Sequence, residues 1–146
     1  RNWHRMPVPT DRMLLNLPLL LRGSEVANNF KTFDLMIEDL TARPLTDQQL
    51  QTIAAVLERR SRMKAGVGNP TEVVKLFWRK LLEKSDSGTD PWFEASLQLA
   101  EIAARENQMK EAQKVLNVIT ALHPDWGTAD RQSRAAALKA RLESAK

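Results

Sequence analysis

The sequence predicts an all-α fold built from antiparallel helical hairpins, about seven helices in a single domain of 146 residues. Three observations carry that expectation. Apolar residues recur at three- and four-residue spacing along most of the chain. Helix starts and stops punctuate those runs, and five glycines with no tyrosine are a poor supply for the tight turns and pleated surfaces of a strand-rich protein.

Taken in order, residues 1–10 contain Pro7 and Pro9 and read as an extended arm, which Trp3 argues lies down on the body. Thr10-Asp11 can cap a short, leucine-dense helix through Leu21, bent by Pro18 and ended by Gly23. Apolar residues go nearly all round it. Such a helix is either the centre of the core or, through Leu19 and Leu20, a surface that meets a second copy or a part of a longer parent chain, of which this sequence reads as an excised piece. Ser24 can cap a helix through Arg43, with Val26, Phe30, Phe33 or Asp34, Ile37 and Leu40 near helical spacing and Pro44 ending it. Thr46-Asp47-Gln48-Gln49 is a capping box, in which the Thr oxygen meets the Gln49 N–H and the Gln side chain reaches back. It opens a helix from Asp47 to about Lys64, with Leu50, Ile53, Ala54 and Leu57 inwards. The Gly66-Val67-Gly68-Asn69-Pro70 interruption then repeats the start signal for a helix with Val73, Val74, Phe77, Leu81 and Leu82 on one face. Residues 11–87 thus read as degenerate hairpins.

The clearest stretch runs from Pro91 to Pro124. Asp90-Pro91 places a carboxylate N-cap before a proline at the first helical position, where the missing N–H would have had no partner. Phe93, Leu97, Ala100 and Ala104 form a stripe, Glu106-Asn107-Gln108 a turn, and Ala112, Val115, Leu116, Ile119 and Leu122 a second stripe that stops at His123-Pro124. This hairpin, over residues 90–126, resembles a tetratricopeptide repeat. Ser96 stands in that pattern's Trp place, Leu99 in its Leu place, Ala100 in its Gly place and Ala103 in its Tyr place. Ala112 and Leu116 match the second helix, and Pro124 the closing proline. The aromatic signature positions are absent, and the match covers about a quarter of the chain. The resemblance implies a right-handed solenoid fragment acting as a protein-protein interaction scaffold. It also implies that the first helix lines a partner-binding groove with Glu94, Leu97, Gln98, Glu101 and Arg105. Trp126, beside Gly127, reads as a partly exposed contact, while Trp92 reads as core. Thr128 caps a last helix over residues 128–146 with Ala135, Leu138 and Leu142 inwards and Arg131, Arg134, Lys139 and Arg141 outwards, like the solvating helix that closes repeat arrays.

Composition narrows the chemistry. The chain has no cysteine, and its two histidines, His4 and His123, are far apart, so thiol catalysis and a cysteine- or histidine-rich metal site have no residues to build them. Asp34, Glu38 and Asp39 share a helical face, which reads as solvated because no ordered ligand series accompanies them. Ser61, Ser96 and Ser133 lack a nucleophile's setting, and Gly66-Val67-Gly68 lacks the third glycine and the Lys-Ser/Thr pair of a phosphate loop. No catalytic residue, metal ligand or cofactor is expected. The longest apolar run, Met13 to Leu21, is broken by Asn16 and Pro18 and is too short for a membrane span. A net charge of +4 spread over many mixed charges is a weak polyanion signal. The basic run Arg59, Arg60, Arg62 and Lys64 closes a helix, where cations complement the helix dipole, or else forms a docking patch. That patch is the basis of the alternative reading, a basic helical module binding nucleic acid or another polyanion.

Overall fold

The computed structural model of the chain describes residues 8–63 and 70–144. Seven α-helices run through them: α1 (Thr10–Ala27), α2 (Lys31–Thr41), α3 (Asp47–Ser61), α4 (Pro70–Lys84), α5 (Asp90–Arg105), α6 (Met109–Leu122) and α7 (Ala129–Ser144). The all-α class with packed helix pairs is the one the periodicity predicts. Contacts divide the chain into two compact units, residues 1–77 and 78–146, with α4 running across the division. The Trp3 arm, His4, Lys64, Gly66-Val67-Gly68 and the Asn69 cap lie outside the described residues.

In the first unit α1 packs against both α2 and α3. Its inner face is Met13, Leu14, Leu17 and Leu21, which fall on one side of a helix, and these meet a core that includes Phe33, Ile37, Leu40, Leu50, Ile53 and Leu57. The helix is longer than expected. It continues through Pro18 and Gly23 and ends only at Asn28, which takes the left-handed conformation with φ 54°. The Asn28 N–H donates to the Glu25 carbonyl and the Asn29 N–H to that of Ser24, so the two asparagines close a helix that Gly23 is expected to end. Ser24 is consequently a buried residue inside α1 rather than a cap, and Val26 points to solvent rather than to the core. Phe30 then precedes α2 as its N-cap residue, and Phe33, not Asp34, occupies the inward place. At α3 the capping box forms as read: the Gln49 N–H donates to Thr46 Oγ1 at 3.2 Å and the Thr46 N–H to Gln49 Oε1 at 2.9 Å. Gln49 Nε2 also donates to Asp11 at 2.9 Å, tying the start of α3 to the start of α1.

In the second unit α5 and α6 form a hairpin and α7 packs against both. Phe93, Leu97, Ala100 and Ala104 from α5, Ala112, Leu116 and Ile119 from α6, and Ala135, Leu138 and Leu142 from α7 share one core, with Trp126 beside them. Asn107, at φ 63°, makes the three-residue turn, and the Gln108 N–H closes it by donating to the Ala103 carbonyl at 2.8 Å. Thr89, not Asp90, is the N-cap residue of α5, and Asp90 opens the helix with its carboxylate engaged elsewhere. Leu122, a member of the expected inner stripe, stands exposed, because the helical turn past Ile119 carries it off the buried face. Thr128 caps α7, its Oγ1 accepting the Arg131 N–H at 3.2 Å.

Candidate functional site

The groove residues implied by the repeat resemblance divide into buried and accessible sets. Glu94 and Leu97 are fully buried. They follow Phe93 on a helix whose sides are nearly all covered, with Ala95, Ser96, Ile102, Ala103 and Ala104 also inside. Neither is displayed in a groove as expected. Gln98 and Glu101 are half-buried, and Arg105 is exposed.

Glu94 is instead the centre of an ionic clasp between α5 and α7. Both of its oxygens accept from Arg134, Oε1 from Nη1 and Oε2 from Nη2, each at 3.0 Å, in the bidentate geometry that suits a guanidinium. Arg131 Nη1 approaches Oε1 at 3.4 Å, and Gln98 Nε2 donates to Oε2 at 2.9 Å. Arg134 Nη2 also reaches Glu101 at 3.1 Å. Arg131, itself fully buried, donates from Nη2 to Asp90 and from Nε to the Trp126 carbonyl at 2.9 Å, while its guanidinium lies 5.8 Å from the Phe93 ring centre. The expectation that Arg131 faces solvent is overturned by register. Residues 131, 135, 138 and 142 advance by four, three and four, so the stripe that buries Ala135, Leu138 and Leu142 buries Arg131 too. Arg134 is only partly exposed.

Burial sets the electrostatics of the clasp. Desolvation pulls the Arg134 guanidinium down, but its hydrogen bonds to Glu94 and the charges of Glu94 and Glu101 outweigh that and hold it above its ordinary range. Desolvation raises the Glu101 carboxyl, with Glu94 adding to the rise and Arg134 and Arg105 opposing it.

The two tryptophans exchange their expected places. Trp126 is buried at 1% exposure, with Nε1 donating to Thr120 Oγ1 at 3.1 Å, whereas Trp92 is half-buried. The reason lies in the connection to α7. Trp126 and Gly127 both have positive φ, 55° and 80°, which folds the chain over Phe93 so closely that a Cβ at Gly127 would lie 2.8 Å from Phe93 Cδ2. His123, Trp92 and Phe93 meet edge to face at 5.2–5.7 Å between ring centres.

The basic run does not form a patch of four cations. Arg60 is 4% exposed, its guanidinium 3.8 Å above the Phe30 ring and its Nε 3.8 Å from Asp34. Arg62 pairs with Glu58 at 2.7 Å. Arg59 is exposed, and Lys64 lies outside the described residues. Arg60 turns inward because it continues the Ile53, Val56, Leu57 face of α3. Asp34 is thereby drawn from the acidic face into a part-buried pair, where burial raises its carboxyl against the lowering effect of Arg60. Glu38 and Asp39 stay on the accessible side of α2.

Among the described residues, α1 carries three large apolar side chains that stand exposed. Leu15, Leu19 and Val26 are 78%, 66% and 84% exposed, while Leu20, paired with Leu19 in the expected contact, is half-buried. Among the described residues no group of three His, Asp or Glu side chains could hold a metal ion, and no helix is long and apolar enough to cross a membrane. Ser61 donates to the Glu58 carbonyl at 2.7 Å and Ser96 is buried in α5. Sequence reasoning misses the Arg131–Glu94 contact, and of the outward row on α1 it names Leu19 as a contact but neither Leu15 nor Val26. Helical register signals both. No protein-family model, curated protein or solved structure matches the chain.

Proposed function

We propose that this chain is a non-catalytic protein-protein interaction scaffold, with α5 and α6 as a tetratricopeptide-like hairpin and α7 in the place of the helix that closes such an array. The packing of α7 against both helices of the hairpin supports that reading. The observation that carries it is the exposed row Leu15, Leu19 and Val26. Met13, Leu14, Leu17 and Leu21 form the buried face of α1, so three large apolar side chains on its opposite face serve no packing need among the described residues. A nucleic-acid module is the weaker reading, because the cations it would use at Arg60 and Arg62 are buried or paired with acids. The test is a Leu15→Glu, Leu19→Glu variant beside the wild-type chain. Both positions are exposed, so the melting temperature stays the same. Association that the wild type shows and the variant loses is the expected result. Indifference of every association to both substitutions overturns the reading.

A further inference from the structure

Resting on the scaffold reading, we infer that the occupant of the α1 face is a second copy of this chain, packed antiparallel across a two-fold axis near Leu19. Gly23 points to it. This glycine lies inside α1 with ordinary helical φ, and among the described residues a Cβ built on it meets nothing within 4 Å. Neither backbone conformation nor packing against the described residues calls for glycine there, and a mid-helix glycine weakens the helix relative to alanine. Yet it falls in the exposed row, between Leu19 and Val26. A residue without a side chain in the middle of an apolar stripe lets another helix approach closely, which a solvated face does not use.

The row is also self-complementary. Arg12, Leu15, Leu19, Gly23 and Val26 are separated by three, four, four and three residues, the same steps read from either end. A row of this kind suits an isologous contact, in which each copy meets the same patch running the other way. With Leu19 at the axis, Leu15 of one copy enters the space over the second copy's Gly23, bounded by its Leu19 and Val26. The flanks agree in charge: each end of the row carries one acid and one base, Asp11 with Arg12 and Glu25 with Arg22, so reversing the second helix sets no like-charged blocks against each other.

Light scattering and sedimentation of the whole chain test this from about 5 to about 500 µM, the range in which a small single-helix interface assembles. The mass is expected to rise from monomer towards dimer, and Leu15→Glu, Leu19→Glu to hold it at monomer. Gly23→Ala separates the contact from ordinary helix stability. It should raise the melting temperature by about 2–4 °C in dilute solution while weakening the dimer by about tenfold. Because the chain has no cysteine, a lone Leu19→Cys should give a disulfide-linked dimer under mild oxidation. A wild type that stays monomeric at about 500 µM while the double variant loses a different protein would overturn the second copy and leave the scaffold reading standing. A monomer indifferent to every substitution would overturn both. A dimer unmoved by Gly23→Ala, or a Leu19→Cys variant whose thiol labels slowly in the monomer, would overturn the geometry.

Discussion

Two arginines and one glutamate decide how α7 is held. A buried carboxylate is tolerable only when its lone pairs are filled, and Glu94 accepts from Arg131, Arg134 and Gln98 at once. Removing it takes the central acceptor from two guanidiniums, one of them fully buried, and leaves Arg131 to Asp90 and the Trp126 carbonyl and Arg134 to Glu101. Glu94→Ala is therefore expected to destabilise by about 3–5 kcal/mol, read from urea unfolding; a loss under about 1 kcal/mol would mean that water takes over the arginines. Glu101, at the clasp's edge, makes a separate prediction through pH. Burial raises its carboxyl above the unfolded value, so the folded chain binds that proton more readily than the unfolded one. Its contribution to stability is fully present below the ordinary glutamate range and is lost as pH rises through the raised value. Unfolding series across that interval should show this fall in the wild type and a shallower one in Glu101→Gln. An unchanged slope would place the Glu101 carboxyl in solvent. Asp34, raised for the same reason, acts in the same direction and remains in both proteins as an internal background.

At the level of elements, local signals and register are legible to different degrees. The Thr46 to Gln49 capping box, the turn at 106–108 and the Ala135, Leu138, Leu142 face of α7 all appear as read, because each depends on residues within one or two helical turns. The expected end of α1 falls short because Gly23 is a stronger stop signal by residue type than Asn28. The chain uses the asparagine, whose left-handed conformation lets two N–H groups close the helix. Arg131 and Arg60 depart from expectation because their charge argues for solvent while their spacing argues for the core, and spacing wins at both. Glu94 and Leu97 are buried for a further reason: which side of α5 stays open depends on where α7 packs, and no residue of α5 states that. The α5–α6 crossing, in contrast, is readable from Ala100 and Ala112, both essentially fully buried in the shared core. Ala112→Leu must force apart helices joined by a short turn. It should cost about 1–3 kcal/mol, seen as a lower urea midpoint at unchanged slope, and an unchanged or higher midpoint would remove the close crossing.

For the molecule as a whole, the division into two units makes the most demanding prediction. Leu17 is fully buried in the first unit beneath α2 and α3, and Leu97 is fully buried in the second within the core shared by α5, α6 and α7. Cutting either to alanine removes the same atoms and leaves a cavity, at a cost of about 2–5 kcal/mol. If each core sustains its own cooperative block, that cost is felt locally. Hydrogen exchange should then show Leu17→Ala lowering protection across α1, α2 and α3 while α5, α6 and α7 keep theirs, and Leu97→Ala doing the reverse. Helix α4 spans the division, with Val74 and Phe77 buried on one side of it and Trp78 and Leu81 on the other, so its amides report on both blocks. Its N-terminal half should follow the first variant and its C-terminal half the second. Equal loss of protection in all seven helices from either substitution would make the chain one cooperative unit, and the two cores would then be a feature of packing without a counterpart in stability.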